Sequence, residues 1–304
     1  MTQRDKAYQY CQTLARQYDE NFPVITLFQP RYLRRAIAVI YAFARTADDI
    51  ADEGNLSLAE RLAALADYQQ QLLCLSQTDV NGLSPIFIAL HHVIQRHHLP
   101  ISLFLDLLSA FKHDLTSTHY QDDTELYDYC RLSANPIGRL LLLLHQYHDE
   151  TLIAYADTLC TALQLVNFYQ DIAEDHAVRQ RVYIPTDSLA EANIDDFIPN
   201  EANSLKLSTV LRKKYLACAS LLEQSHPLGH RITGRFGWQM RMTLLMALAV
   251  LLALSKQEDR DLFSCPRLGK AQWLPAAILS LSKRSFQWRV RRLLKLIGRH
   301  NQTS

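Results

Sequence analysis

Two acidic clusters in this sequence have the residue types and the spacing that bind divalent cations. Asp48 and Asp52 belong to the first cluster, and Asp171 and Asp175 belong to the second. Residues four apart lie on one face of a helix, one turn from each other, so each pair predicts two adjacent carboxylates. Neighbouring like charges destabilise a helix, which favours a functional reason for them. Because this spacing occurs twice, we predict two helices that face each other across Mg²⁺ ions and, through the ions, a diphosphate.

The first aspartate pair ends a polar stripe on its predicted helix. Four residues share one helical face at the spacing i, i+4, i+7 and i+11: Tyr41, Arg45, Asp48 and Asp52. Most residues between them are apolar, and a polar stripe on such a helix predicts that the helix lines a cavity. The alternative is a solvated helix face on which Arg45 pairs with Asp48.

The second pair ends a similar stripe. Its four members follow the spacing i, i+3, i+7 and i+11: Gln164, Asn167, Asp171 and Asp175. The rest of this helix is apolar nearly all round, and burying the stripe without cations would be costly. The alternative is a polar seam whose groups are satisfied by neighbouring helices.

Three side chains are candidates to complete a binding site for the diphosphate: Arg45, Arg181 and Tyr183. Arginine suits phosphate because its planar guanidinium donates paired hydrogen bonds. Arg181 follows Asp175 by six residues, in the segment that leaves the second cluster. The alternative for Arg181 is an ordinary surface arginine.

Composition and periodicity predict an all-α fold, with one domain over residues 1–304. Apolar residues make up 48% of the chain, and its 8 Gly and 10 Pro are few, which favours helices. Ser57 and Glu60 form the pattern of a capping box at a helix start. The periodic pattern predicts helices over 3–18, 31–52, 57–78, 84–97, 101–115, 124–147, 149–177, 203–225, 232–257 and 271–298, with 178–201 as the longest non-helical stretch.

Charge and cysteine content limit the partners and the compartment. The net charge of +1 is not that of a nucleic-acid-binding domain, so no nucleic-acid partner is expected. Six scattered cysteines fit no disulfide framework or zinc site, and the N-terminus has no apolar segment typical of a signal peptide. The longest apolar run, Leu244–Leu254, is too short to cross a bilayer. We therefore expect a cytoplasmic protein.

The C-terminal segment predicts a basic amphipathic helix over about 281–299. Residues 283–299 contain seven Lys or Arg and no acid, which leaves a net charge of −6 for the rest of the chain. The opposite side of this helix is an apolar stripe formed by Phe286, Val290, Leu293, Leu294 and Ile297. The stripe predicts either a peripheral contact with the inner face of the membrane or a terminal helix packed on the bundle.

Three stretches resemble the squalene/phytoene synthase family of head-to-head prenyl transferases: Tyr41–Gly54, Tyr129–Leu140 and Gln164–Pro185. The resemblance implies an isoprenoid-synthase helical bundle around a central cavity, with Mg²⁺ and farnesyl-type diphosphate substrates. It implies Mg²⁺ ligands at Asp48, Asp52, Asn167, Asp171 and Asp175. It implies substrate contacts at Arg45, Gln164, Asn167, Arg181, Tyr183 and Phe22. It also implies that Tyr41 and Tyr129 line the cavity, where aromatic faces stabilise a carbocation.

Shorter stretches resemble the hopanoid-pathway subgroup of that family, which turns presqualene diphosphate and water into hydroxysqualene. They are ADDIADEG at 47–54, ENFPV at 20–24 and CRLSANPIGRL at 130–140. Many relatives carry a His-Ser-x-x-Phe segment near the N-terminus, where this chain has Tyr18–Phe22 and matches only at Phe22. A phosphate role for 18–21 is therefore doubtful.

Several alternatives to hydroxysqualene formation remain open. The chain could condense two farnesyl diphosphates to presqualene diphosphate, squalene or dehydrosqualene, or it could be a phytoene synthase. The sequence contains no Gly-rich dinucleotide fingerprint, which disfavours NADPH and a reduction. An inactive all-α assembly factor is the non-enzyme alternative, although such a protein has no reason to keep repelling aspartate pairs.

Overall fold

The computed structural model describes residues 1–17, 29–75, 82–266 and 270–302, without the side chains of 270–273. All secondary-structure elements assigned within these ranges are helices, so the predicted all-α fold class is confirmed. Phe22, a predicted substrate contact, lies outside the described residues, as does the segment 18–21.

The chain divides into two compact units, and each is described by itself. Met1–Ser117 with Pro136–Asp149 form the first unit, and Thr118–Asn135 with Glu150–Ser304 form the second. The prediction that residues 1–304 act as one domain stays a prediction.

Helix α2 (Arg31–Asp52) is the central element of the first unit and packs against four other helices of that unit. The ring of Phe43, at its middle, is fully buried and lies 5.2 Å from the ring centroids of Tyr68 and Phe104 and 6.0 Å from that of Phe87. Burying a side chain of this size contributes about 2–3 kcal/mol to stability. The helices of the unit are α1 (Gln3–Gln17), α2 (Arg31–Asp52), α3 (Leu58–Cys74), α4 (Pro85–His97), α5 (Ile101–Thr116) and, apart from its first residue, α7 (Asn135–Leu144).

The second unit is built around the long helix α11 (Glu201–Ser225), which packs against α8 (Glu150–Gln170), α13 (Gly234–Ser255) and α15 (Lys283–Gln302). Its helices are α6 (Asp123–Ser133), α8 (Glu150–Gln170), α9 (Ile172–Arg179), α10 (Thr186–Glu191), α11 (Glu201–Ser225), α12 (Pro227–Arg231), α13 (Gly234–Ser255), α14 (Lys270–Leu281) and α15 (Lys283–Gln302). A 3₁₀ turn, Asp259–Asp261, precedes α14.

Local sequence signals set several helix boundaries. The capping box predicted at the start of α3 is present, since Ser57 and Glu60 exchange hydrogen bonds between side chain and backbone. Three predicted helices are each divided in two: 124–147, 149–177 and 271–298. The first of these divides just before Pro136, which lacks an N–H and so fits only the first turn of a new helix. The helix predicted over 232–257 is observed as one helix that begins at Gly234, whose φ of +64° lies in the region that favours glycine.

The C-terminal apolar stripe packs on the second unit. Phe286, Val290, Leu293 and Ile297 are buried, and α15 lies against α11, α13 and α14. The second of the two alternatives for this stripe, a terminal helix packed on the bundle, is therefore the one observed. In the described part of the chain, one helix is long and apolar enough to cross a membrane, α13, and 56% of its most apolar stretch is buried inside the protein.

Candidate active site

The first polar stripe lies on α2, in the first unit. Tyr41, Arg45, Asp48 and Asp52 are all half-buried. The small residues between them, such as Ala47, are buried against the other helices of the unit. That this face of α2 lines a cavity stays a prediction.

Arg45 lies in the middle of the first acidic cluster. Its Nη1 is 3.1 Å from Asp48 Oδ2, and its Nε is 2.7 Å from Asp49 Oδ1. The same guanidinium also pairs with Glu53. The Arg45–Asp48 pair of the solvated-face alternative is thus present. One guanidinium serves three acids here, and Asp52 adds a fourth carboxylate to the cluster. The cluster keeps an excess of negative charge that suits cations. No role was predicted for Asp49 from the sequence.

Arg61, which the sequence did not single out, fixes the end of α2. Its guanidinium reaches from α3 and donates hydrogen bonds to four backbone carbonyls at the end of the first acidic cluster. The N···O distances are 3.0 Å to Ile50, 2.6 Å to Ala51, 2.8 Å to Gly54 and 3.1 Å to Leu56. The last carbonyls of a helix have no partner within the helix, so this contact stabilises the turn that carries Asp48 and Asp52.

The second stripe runs along α8 into α9, in the second unit. Asn167 is exposed, whereas Gln164, Asp171 and Asp175 are half-buried. The predicted continuous helix breaks at Asp171, whose φ of −106° and ψ of 16° are not helical. The backbone N–H groups of Asp171 and Asp175 nevertheless donate to the carbonyls four residues earlier, both at 2.9 Å. The stripe therefore continues across the break.

Asp175 is the most perturbed acid of the second cluster. Its side chain is only 14% exposed, and Arg179 Nη1 lies 3.1 Å from its Oδ1. Burial raises the pKa of Asp175 to about 6; the charge of Asp171 adds to this rise, while Arg179 and Arg181 oppose it. A buried carboxylate has lost the water that stabilises its charge, and a bound cation would stabilise that charge instead.

Arg181 is buried, with 9% of its surface exposed, so the alternative of an ordinary surface arginine is wrong. Gln180 ends α9 in the left-handed conformation, with φ of 54°. This turn brings the chain back on itself, and the backbone N–H of Arg181 donates to the carbonyl of Asp175 at 3.3 Å. The turn therefore holds Arg181 beside the second acidic cluster, a position that the six-residue spacing alone did not define.

Four aromatic rings gather near the second stripe: Tyr120, Tyr129, Phe168 and Tyr183. All four are buried, and the rings of Phe168 and Tyr183 stack at 3.6 Å with an angle of 6° between them. Tyr129 lies 5.5 Å from Tyr120 and 6.1 Å from Phe168, measured between ring centroids. The structure therefore brings together two predicted site residues, Tyr129 and Tyr183, and adds Tyr120, which sequence reasoning missed.

Cys265 contacts Asp171 across 94 residues of sequence. Its Sγ lies 3.3 Å from Asp171 Oδ1, to which the thiol donates a hydrogen bond. The adjacent Gln170 donates to the carbonyl of Pro266 at 3.0 Å, which fixes the segment in place. No sequence signal joins these positions, because the contact depends on how a loop returns to the end of α8.

We expect alkylation of Cys265 by N-ethylmaleimide to inactivate the protein, because the added group would displace Asp171 from its hydrogen bond. Cys265→Ser keeps a donor at this position, so it should retain most activity and resist inactivation. Cys74→Ser is the matched control, since Cys74 is another half-buried free cysteine and its loss should leave the sensitivity unchanged. Inactivation of Cys265→Ser at the wild-type rate would contradict this role.

The donors at both clusters suit Mg²⁺. In the described part of the chain, no group of three or more His, Cys, Asp or Glu side chains is placed to hold a metal ion. The stripes instead present carboxylates and amides, all hard oxygen donors. Mg²⁺ is usually bound through one or two carboxylates, with phosphate and water oxygens completing its shell. The residues present therefore fit this ion.

Comparison with known proteins identifies the family. The sequence profile described as squalene/phytoene synthase matches residues 15–275. The chain belongs to the squalene/phytoene synthase family. The resemblance seen in the three sequence stretches is thereby confirmed, and the protein is an enzyme of a family that acts on prenyl diphosphates.

Relatives within the family carry different product names. A hydroxysqualene synthase from Zymomonas mobilis subsp. mobilis is 34% identical over 274 residues, covering 88% of this chain and 89% of that protein. A phytoene synthase from Mycobacterium tuberculosis is 30% identical over 189 residues, covering 62% and 61%. The solved structure of a squalene synthase, HpnC, from Alicyclobacillus acidocaldarius matches with a TM-score of 0.73 at 30% identity, covering 84% of this chain and 95% of that one. The fold is therefore that of the squalene synthases.

Proposed function

We propose that this squalene/phytoene synthase family member converts presqualene diphosphate and water into hydroxysqualene, as part of C30 isoprenoid and hopanoid synthesis. The observation that carries the proposal is the similarity to the Zymomonas hydroxysqualene synthase over nearly the whole of both chains. The six free cysteines support a reducing compartment, so we place the reaction in the cytoplasm.

Mg²⁺ is the proposed cofactor. Asp48 and Asp52 would hold it in the first unit, and Asn167, Asp171 and Asp175 would hold it in the second. When bound, Mg²⁺ would neutralise the charge that builds on the departing diphosphate. The raised pKa of Asp175 supports this assignment, because burial takes away the water that would stabilise its ionised carboxylate, and a bound cation would replace that stabilisation.

Arg45, Gln164, Arg181 and Tyr183 are the proposed diphosphate contacts. Arg181 is the strongest of these, since a buried guanidinium beside an acidic cluster can donate paired hydrogen bonds to phosphate oxygens. Arg45 would act from within the first cluster, where it already pairs with Asp48. Electrostatic contacts of this kind stabilise charge best where water is excluded.

Tyr41 and Tyr129 are proposed to shield the carbocation that remains after ionisation. Tyr129 belongs to the buried group of four aromatic rings, and aromatic faces attract a cation without reacting with it. Apolar walls of this kind would keep bulk water away from the carbocation until the intended water molecule adds to it. In the proposed reaction, one water molecule then adds to the cation, and its proton leaves to solvent.

The second candidate function is a reaction of the same family in which the carbocation is quenched in a different way. Loss of a proton would give dehydrosqualene or phytoene, and hydride from NADPH would give squalene. The similarity to a phytoene synthase and to a protein named squalene synthase supports these alternative reactions. We do not expect NADPH to be needed, since the chain lacks a Gly-rich dinucleotide fingerprint.

A product assay separates these routes. The protein is incubated with Mg²⁺ and either presqualene or farnesyl diphosphate, with and without NADPH, in ¹⁸O-labelled water. We expect hydroxysqualene from presqualene diphosphate, carrying one ¹⁸O by mass spectrometry and formed equally without NADPH. An unlabelled hydrocarbon product, or a product formed only with NADPH, would overturn the proposal.

A further inference from the structure

The outer face of α14 is apolar and exposed to solvent. Leu274, Ile278 and Leu281 follow the spacing i, i+4 and i+7, which puts them on one side of the helix. Their exposed fractions are 65%, 56% and 65%. A helix of a soluble unit normally turns its large apolar side chains towards the core. Helix α14 instead turns these three large apolar side chains towards solvent.

Small residues hold α14 against the second unit. Ala276 and Ser280 are buried, and α14 packs on α13 and α15. Two side chains of α13 bind its backbone: Trp238 Nε1 donates to the carbonyl of Ala277 at 3.0 Å, and Arg241 Nε donates to that of Ser280 at 2.6 Å. These contacts fix the rotation of the helix, so the outward orientation of Leu274, Ile278 and Leu281 is built into the fold.

Basic residues lie directly beside this apolar face. Helix α15 follows α14 after one residue, and no Asp or Glu occurs after Asp261 in the sequence. Trp288 of α15 is 54% exposed, and the guanidinium of Arg292 lies 5.3 Å from its ring centroid. The exposed basic residues of α15 are Lys283, Arg284, Arg291, Arg292, Lys295 and Arg299.

We propose that the outer face of α14 and the basic face of α15 form a docking surface for an anionic lipid bilayer. Leu274, Ile278, Leu281 and Trp288 would enter the interface between headgroups and acyl chains, and the basic residues of α15 would bind lipid phosphates. Exposed apolar side chains beside Lys and Arg, with an interfacial Trp, are the features of a helix that lies on a membrane.

Charge complementarity favours a bilayer over a second copy of the chain. A self-contact through this surface would bring two sets of like charges together, and no acid within 262–304 could pair with them. Anionic headgroups supply the opposite charge, and each basic residue near such a surface contributes about fivefold to binding. The surface is distinct from the apolar stripe of α15, which is buried in the second unit.

The test measures binding of the full chain to vesicles by co-sedimentation. Vesicles contain phosphatidylcholine alone or equal parts of phosphatidylcholine and phosphatidylglycerol. We expect binding to the anionic vesicles only. Leu274→Ser, Ile278→Ser and Leu281→Ser together should weaken it about tenfold, because less apolar surface enters the membrane. Arg284→Gln, Arg291→Gln and Lys295→Gln together should weaken it on the order of 100-fold, a loss that high salt reproduces in the wild type.

The matched control replaces three other exposed residues away from this surface, again two leucines and one isoleucine: Leu58→Ser, Ile198→Ser and Leu205→Ser. This variant should bind vesicles like the wild type. All variants should keep the wild-type unfolding temperature and activity on detergent-dispersed substrate. Wild-type binding by both α14 and α15 variants would overturn the proposal. It would also fail if the wild type did not bind the anionic vesicles, or if light scattering showed a dimer that the α14 variant dissociates.

Discussion

Asp171→Asn is expected to lower kcat/KM with a prenyl diphosphate by about 1,000-fold, which corresponds to about 4 kcal/mol of transition-state stabilisation. Asparagine has the same size and keeps an oxygen that accepts from the thiol of Cys265, at the 3.3 Å contact seen here. The substitution therefore removes little except the negative charge of a proposed Mg²⁺ ligand. The rate of diphosphate release at a series of Mg²⁺ concentrations measures the loss. The Mg²⁺ concentration that gives half of the maximal rate should be higher in the variant than in the wild type.

Asp48→Asn tests the first cluster in the same way and should give a loss of similar size. Asp195→Asn is the control, since Asp195 is an exposed carboxylate outside both stripes, and its activity should match the wild type. Nearly full activity in Asp171→Asn or Asp48→Asn, with unchanged Mg²⁺ dependence, would show that the metal assignment at that cluster is wrong.

Asp175→Asn is expected to stabilise the protein without Mg²⁺ while it lowers activity. The folded pKa of Asp175 is raised to about 6, above its ordinary value, mainly by burial. The folded state therefore binds its proton more tightly than the unfolded state, and the ionised carboxylate lowers stability. This penalty is absent below about pH 4, grows as the pH rises, and is complete above about pH 6. We expect a gain of about 1–2 kcal/mol in the free energy of unfolding at neutral pH.

Urea unfolding of the wild type and of Asp175→Asn, across this pH range and without Mg²⁺, measures the effect. The difference between the two proteins should grow with pH and then level off. Arg179→Gln should act in the opposite direction, because it removes the guanidinium 3.1 Å from the Asp175 carboxylate and so increases the penalty. A difference that does not depend on pH would mean that ionisation of Asp175 is not its cause.

Local patterns determined much of the fold and of both stripes. The bounds predicted for α2, 31–52, are those of the observed helix, and the capping box of Ser57 and Glu60 is present. These features depend on hydrogen bonds and side-chain contacts within four residues along the chain, so the order of residue types is enough to specify them. The same periodicity placed Asp48 and Asp52 correctly on a half-buried face.

Contacts between distant segments were decided by the tertiary structure alone. Arg61 binds the end of α2, and Cys265 binds Asp171 across 94 residues. In neither case does a sequence pattern link the two partners. Burial of Arg181 likewise depends on the left-handed turn at Gln180. Such contacts are fixed by which surfaces pack together and how loops return, and helical periodicity carries no information about either.

The C-terminal helices show most clearly which features the local sequence sets and which depend on tertiary contacts. The sequence by itself determined that α15 has an apolar stripe and a basic face, because both repeat with the helical period. Only the tertiary structure decided that this stripe is buried and that Leu274, Ile278 and Leu281 of α14 are exposed instead. The reason is that the rotation of α14 is set by hydrogen bonds from Trp238 and Arg241, side chains of another helix.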